Sequence, residues 1–161
     1  MSVVALEELE SLMAREARLL GLDLGQKTVG LALSDVRRTI ASPMETIRRA
    51  GLSADLARVR DVVAREGVGG FVVGLPVALD GREGPRCQSV RQFAADLLKE
   101  CDLPLAFFDE RMSTAAVERL LIDEVDMSRA RRKQVVDKVA AAYILQGALD
   151  FMARGPADRR A

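Results

Sequence analysis

Residues 19–35 read LLGLDLGQKTVGLALSD, two apolar runs joined by a short polar link. Leu20, Leu22 and Leu24 recur at a period of two and so share one strand face, while Asp23 lies on the other with Gly21 and Gly25. Gly25 and Gly30 bracket Gln26-Lys27-Thr28, which predicts a hairpin joining two antiparallel strands, the second entered at Val29. An acid between Leu22 and Leu24 faces desolvation unless a cation or hydrogen bonds compensate it, and its small neighbours leave the carboxylate approachable. An acid that caps a turn would leave the same trace, so this segment alone keeps both roles open.

The 161 residues suffice for one domain with a single core. No apolar run approaches the roughly 20 residues of a spanning helix, and residues 1–18 carry acids where a secretory signal would be continuously apolar. The cytoplasm is therefore the expected location. The chain has no histidine, which removes Ser-His-Asp and Cys-His catalysis, histidine general bases and imidazole metal ligands. Cys87 and Cys101 lack a CxxC spacing and fit core positions. With 24 Lys plus Arg against 24 Asp plus Glu, no global field draws the chain to nucleic acid, so any binding face is local.

Residues 1–18 read as an N-terminal extension, an amphipathic helix or partly ordered leader in which Leu6, Leu9, Leu12 and Met13 fall near helical spacing, with Met13 an alternative start. The domain spans 19–152. After the hairpin, Thr39 to Ile47 predicts an edge strand, because Pro43 removes a backbone donor. A helix from Ser53 to Glu66, capped by Ser53 and stopped at Gly67, leads to a buried strand at Gly70 to Leu75. A loop containing Asp80-Gly81 and Gly84-Pro85 precedes a helix from about Cys87 to Lys99 and a strand from Leu105 to Phe108. Ser113 or Thr114 can cap a helix running to about Ile122, and Ser128 a longer one reaching about Met152, before a polar tail at 153–161. The order is βββαβαβαα, a mixed α/β sheet whose second half runs parallel under helices.

Three acids stand beside apolar structure: Asp23, Glu110 just after the last strand, and Asp137 in the final helix. Ala140, Ala141 and Ile144 follow Asp137 at i+3, i+4 and i+7, which turns it towards the sheet, although Lys133 or Lys138 could simply pair with it. Carboxylates converging without histidine suit Mg²⁺ or Mn²⁺, hard cations that take oxygen ligands and support phosphodiester hydrolysis. Asp35, beside Arg37-Arg38, and Asp109 rank lower, an ion pair accounting for the first.

The segments LGLDLGQKTVGLALSD (20–35), VVGLPVALDG (72–81), FDERMST (108–114) and VDKVAAAYILQ (136–146) together resemble the YqgF, or RuvX-like, family of bacterial Holliday junction resolvases and pre-16S rRNA nucleases. The resemblance covers most of 19–150. It implies an RNase H-like fold with a five-stranded sheet and helices on both faces. It also implies a metal-dependent acidic site at Asp23, Glu110 and Asp137, in an enzyme that trims the 5′ end of pre-16S rRNA or cuts branched DNA; junction cutting would favour a symmetric homodimer and rRNA trimming needs only a monomer, so both states stay open. Lys27, Arg111 and the cluster Arg129, Arg131, Arg132 and Lys133 are candidate phosphate contacts, with Arg37-Arg38 and Arg48-Arg49 a second track; each could equally be a solvated face. With one tyrosine, five phenylalanines and no tryptophan, recognition by shape and phosphate geometry is expected over base stacking.

Two other classes fit parts of the pattern. Asp23-Leu24-Gly25 also suits the phosphate hairpin of a sugar-kinase-like ATPase, but the chain has room for one lobe and shows no second such hairpin. A non-catalytic nucleic-acid or ribosome-associated module would need the basic residues and none of the acids.

Overall fold

The alternation that separates Leu20, Leu22 and Leu24 from Asp23 is realised at the centre of a five-stranded mixed sheet. The structure, a computed structural model, describes residues 3–78, 80–109 and 129–154, and of 129–136 the backbone alone. Strands β1 (Arg18–Leu24), β2 (Thr28–Ser34) and β3 (Ala41–Arg48) form an antiparallel meander. Helix α1 (Leu52–Glu66) then crosses to β4 (Val68–Leu75), and α2 (Pro85–Glu100) crosses to β5 (Leu105–Asp109). A last helix, α3 (Arg129–Ala153), ends the described chain. The spatial order is β3-β2-β1-β4-β5, with β4 parallel to β1 and β5 parallel to β4. The helix expected from Ser113 or Thr114 to Ile122 and the Ser128 cap lie outside the described residues. Among the described residues no helix is long and apolar enough to cross a membrane.

Strand period divides the core in two. Leu20, Leu22, Val29, Leu31, Phe71 and Val73 pack beneath α1 and α2, while Leu19, Ala32, Val72 and Ala106 pack beneath α3. Pro43 sits on the edge strand as expected, opposite Ala32 at an irregularity in the ladder. Cys87 and Cys101 are buried free thiols of the first core.

Three local features differ from expectation. The N-terminal segment is not an amphipathic helix; it makes two 3₁₀ turns, Leu6–Glu8 and Glu10–Leu12. Val4 donates its N–H to the Leu105 carbonyl at 2.8 Å and Leu9 is fully buried under α3. Those tertiary contacts outweigh a helical periodicity too short to sustain a helix by itself. At the start of α1 the cap position belongs to Gly51, whose φ of 110° suits glycine, and Ser53 lies inside the helix. The Ala50 N–H is taken instead by the Asp55 carboxylate at 3.0 Å.

The third difference is Asp35, which closes the β2–β3 turn instead of pairing with Arg37 or Arg38. Its carboxylate accepts the N–H groups of Ile40 (3.0 Å) and Thr39 (2.7 Å) and the Thr39 hydroxyl (2.7 Å), while Arg38 faces Glu10. The Ile40 N–H and the Thr39 hydroxyl, the stronger influences, hold the carboxyl down to about 2, from an ordinary 3.8. The folded state thus favours the charged form, so the stabilisation is complete above about pH 4 and is lost as pH falls towards 2. Asp35→Asn is expected to flatten the fall of Tm between pH 4 and 2, read by circular dichroism melts. A slope equal to that of the parent would show that other carboxyls govern acid unfolding.

Candidate active site

The hairpin register and helix α3 set Asp23 and Asp137 on one face of the sheet. Asp23 on β1 stands directly opposite Gly30 on β2, with Thr28 two residues earlier on the same face. Helix α3 crosses that face so closely that a Cβ on Gly30 would lie 2.0 Å from the Asp137 carbonyl oxygen, and one on Gly21 2.8 Å from the Leu145 Cβ. Directly opposed Cβ positions are about 5 Å apart, so the Asp23 Cβ lies within about 7 Å of the Asp137 backbone. The glycines of the strands and the buried Ala141 of the helix together permit this approach.

Side-chain contacts aim the second acid. The Thr28 hydroxyl donates a hydrogen bond to Oδ2 of Asp137, which holds that carboxylate over the C-terminal end of β1. Asp23 and Asp137 are both half-buried. On the far side of β4, Phe108 of β5 packs under the same helix, where a Cβ on Gly147 would meet its ring at 2.7 Å. Glu110 follows Phe108 by two residues in the chain; it and Arg111 lie outside the described residues. Asp109 takes the register position of Leu75, whose side chain belongs to the α1–α2 core.

Cations surround this edge of the sheet. Lys27 is exposed at the hairpin tip, and Arg48, exposed, stands opposite Thr28 on the α3 side of the sheet. The backbone of Arg129, Arg131, Arg132 and Lys133 begins α3, one to two turns before Asp137, and their side chains lie outside the described residues. Arg37-Arg38 belongs to the β2–β3 turn at the opposite end of the sheet, so the two arginine pairs do not form one track. Asp80-Gly81 is a turn, with the Gly81 N–H on the Ala78 carbonyl at 2.8 Å and Asp80 accepting the Arg82 N–H at 3.0 Å.

The described donor set consists of carboxylate and hydroxyl oxygens, which fits a hard divalent cation and not a thiolate- or imidazole-seeking metal. Among the described residues no group of three or more metal-ligating side chains is gathered.

Sequence reasoning passed over Thr28 and Gly30 as neighbours of Asp23 on its face of the sheet. The period-two pattern that places Asp23 also places Thr28 and Gly30, by hairpin pairing, on the same face, and that signal could have found them.

Comparisons with known proteins agree with this architecture. The family described as "RuvX: Holliday junction resolvase" matches residues 17–151. A protein of Paramagnetospirillum magneticum named "Putative pre-16S rRNA nuclease" is 60% identical over 150 residues, 93% of this chain and 96% of its own length. One of the same name from Gluconacetobacter diazotrophicus is 50% identical over 153 residues, 95% and 99% of the two chains. Among solved structures, T. thermophilus RuvC in complex with a Holliday junction substrate superposes with a TM-score of 0.54 at 15% identity, over 85% of this chain and 96% of that one. At that identity the likeness is one of fold, the RNase H-like arrangement of a mixed sheet between helices.

Proposed function

The chain belongs to the RuvX family, and from that premise we propose that it is a divalent-metal-dependent endonuclease that hydrolyses phosphodiester bonds in structured nucleic acid, with 5′-end processing of pre-16S rRNA as its task. The observation that carries the metal site is the approach of the Asp137 backbone to Gly30, directly across from Asp23. Asp23 and Asp137 hold the cation, and Glu110 is the third ligand. Bound Mg²⁺ or Mn²⁺ supplies Lewis-acid activation of the attacking water and charge neutralisation at the phosphate. Thr28 holds Asp137 through Oδ2, and Oδ1 would remain as the oxygen available to a cation. Lys27, Arg111 and the basic start of α3 meet the phosphate backbone. An rRNA or junction substrate puts the work of the enzyme in the cytoplasm.

The test is incubation of the purified protein with labelled pre-16S 5′-leader RNA and with a four-way DNA junction, each in Mg²⁺, Mn²⁺ or EDTA. Metal-dependent cutting of the leader alone is the expected result. Cutting of the junction alone would favour the second reading, a resolvase, which the shared fold with a junction-bound RuvC supports. Such an enzyme needs a two-fold dimer to address opposed strands. Failure to cut either substrate, with binding retained, would leave a non-catalytic binding module.

Thr28→Val is expected to lower cleavage about 10- to 100-fold, as losses of groups that orient metal ligands do. The Mg²⁺ concentration for half-maximal activity should rise while Tm stays close to that of the parent, and Thr28→Ser should restore both. A rate loss at unchanged metal dependence would assign Thr28 a packing role only.

A further inference from the structure

Across the hairpin from the acids, on the α1–α2 side, a cleft of about 390 Å³ opens between Leu24-Gly25-Gln26 and the first turn of α2. Among the described residues its lining includes Arg49 and Arg86 and no acid. Arg49 is built into place. Its Nε donates to Asp55 at 3.2 Å, a terminal nitrogen donates to the Gly25 carbonyl at 2.9 Å, and the guanidinium lies 5.6 Å from the centroid of the Phe93 ring. Asp55 is only 2% exposed, and the Arg49 N–H is anchored on the Lys27 carbonyl at 2.8 Å. This guanidinium is therefore fixed against the hairpin that carries Asp23, with its remaining donors free to meet a ligand.

Arg86 complements it. It is exposed, and among the described residues it has no acidic partner. Glu83, the nearest acid in the chain, is held in a fork by Arg91 at 2.7 and 3.0 Å. Arg49 keeps donors beyond its Asp55 pair and Arg86 brings an uncompensated charge, so the cleft presents one net positive charge and two planar forks of the kind that suit phosphate oxygens. The cleft begins at Leu24, one residue beyond Asp23, so a strand lying over the C-terminal end of β1 reaches both faces of the hairpin.

We infer that this cleft is a phosphate subsite for the nucleic-acid strand, in which Arg49 and Arg86 grip a phosphodiester flanking the one that is cut. The inference rests on the nuclease reading for its orientation, and on the cleft alone for its chemistry. The experiment measures binding of a fluorescein-labelled 12-nucleotide single-stranded RNA by anisotropy, from 50 to 300 mM KCl. It uses the full chain carrying Asp23→Asn, so that nothing is cut. Adding Arg86→Gln should weaken binding roughly fivefold and reduce the slope of log K against log[salt] by about 0.7, the share of one phosphate contact on a single strand, for poly-U and poly-A sequences alike. Arg86→Lys should keep the slope. Arg37→Gln, at the far end of the sheet, should change neither quantity. An unchanged slope in Arg86→Gln, or an equal loss in Arg37→Gln, would overturn the subsite. A slope change in Arg86→Gln, together with a parent chain that cuts neither the leader RNA nor the junction, would keep the subsite and discard the nuclease.

Discussion

Asp23→Asn is expected to bind nucleic acid as the parent chain does and to lose cleavage by at least about 10³-fold, some 4 kcal/mol of transition-state stabilisation. The size follows from position. Asp23 lies between the buried Leu22 and Leu24 on a central strand, so the carboxylate moves little and no neighbouring acid on β1 can replace it. Asn keeps the volume and one oxygen but removes the charge that a divalent cation requires beside Asp137. The same substitution should abolish metal-induced stabilisation. At a Mg²⁺ concentration tenfold above its Kd, the parent gains about 1.4 kcal/mol, or roughly 3–5 °C in Tm, and the variant gains nothing. The two readings separate catalysis from ligation: equal metal shifts in both proteins would mean that Asp23 is not a ligand, whatever happens to the rate.

How much of this was legible in the sequence depends on how far apart in the chain the partners lie. The hairpin, its faces and the edge position of Pro43 were legible because strand period and proline chemistry are local. The helix–strand alternation after residue 52 dictated parallel pairing for the same reason. Residues 3–17 misled, since Leu6, Leu9 and Leu12 satisfy a helical spacing, yet Leu9 is placed by contact with α3 and Val4 by pairing with Leu105. The Arg49–Asp55 pair was hidden behind a more familiar signal, a serine before an apolar run, and only the backbone of Gly51 shows why Asp55 does the work instead. The Thr28–Asp137 hydrogen bond spans 109 positions and could be found only after helix α3 had been laid on the sheet.

Gly30→Ala carries the second large effect, and it tests the packing that makes the site. The added methyl would meet the Asp137 carbonyl oxygen at 2.0 Å and its carbonyl carbon at 2.4 Å. Neither atom belongs to a side chain that can change rotamer, so α3 must lift from β2 or the hairpin must bend. Overpacking of this kind costs about 3 kcal/mol, which lowers Tm by roughly 6–12 °C in a chain of this size. Lifting α3 also draws Asp137 away from Thr28 and Asp23, and a misplacement near 1 Å costs about 10²-fold in rate even where the protein remains folded. Gly21→Ala provides the comparison on the same helix interface. Its methyl would meet the Leu145 Cβ at 2.8 Å and the Ala141 carbonyl at 3.1 Å, about two turns and one turn along from Asp137. There the expected cost is about 1–2 kcal/mol, with cleavage below the melting range nearly unchanged. If Gly30→Ala and Gly21→Ala lost activity only in proportion to stability, the close approach at Gly30 would serve the core alone, and the pairing of Asp23 with Asp137 would not depend on it.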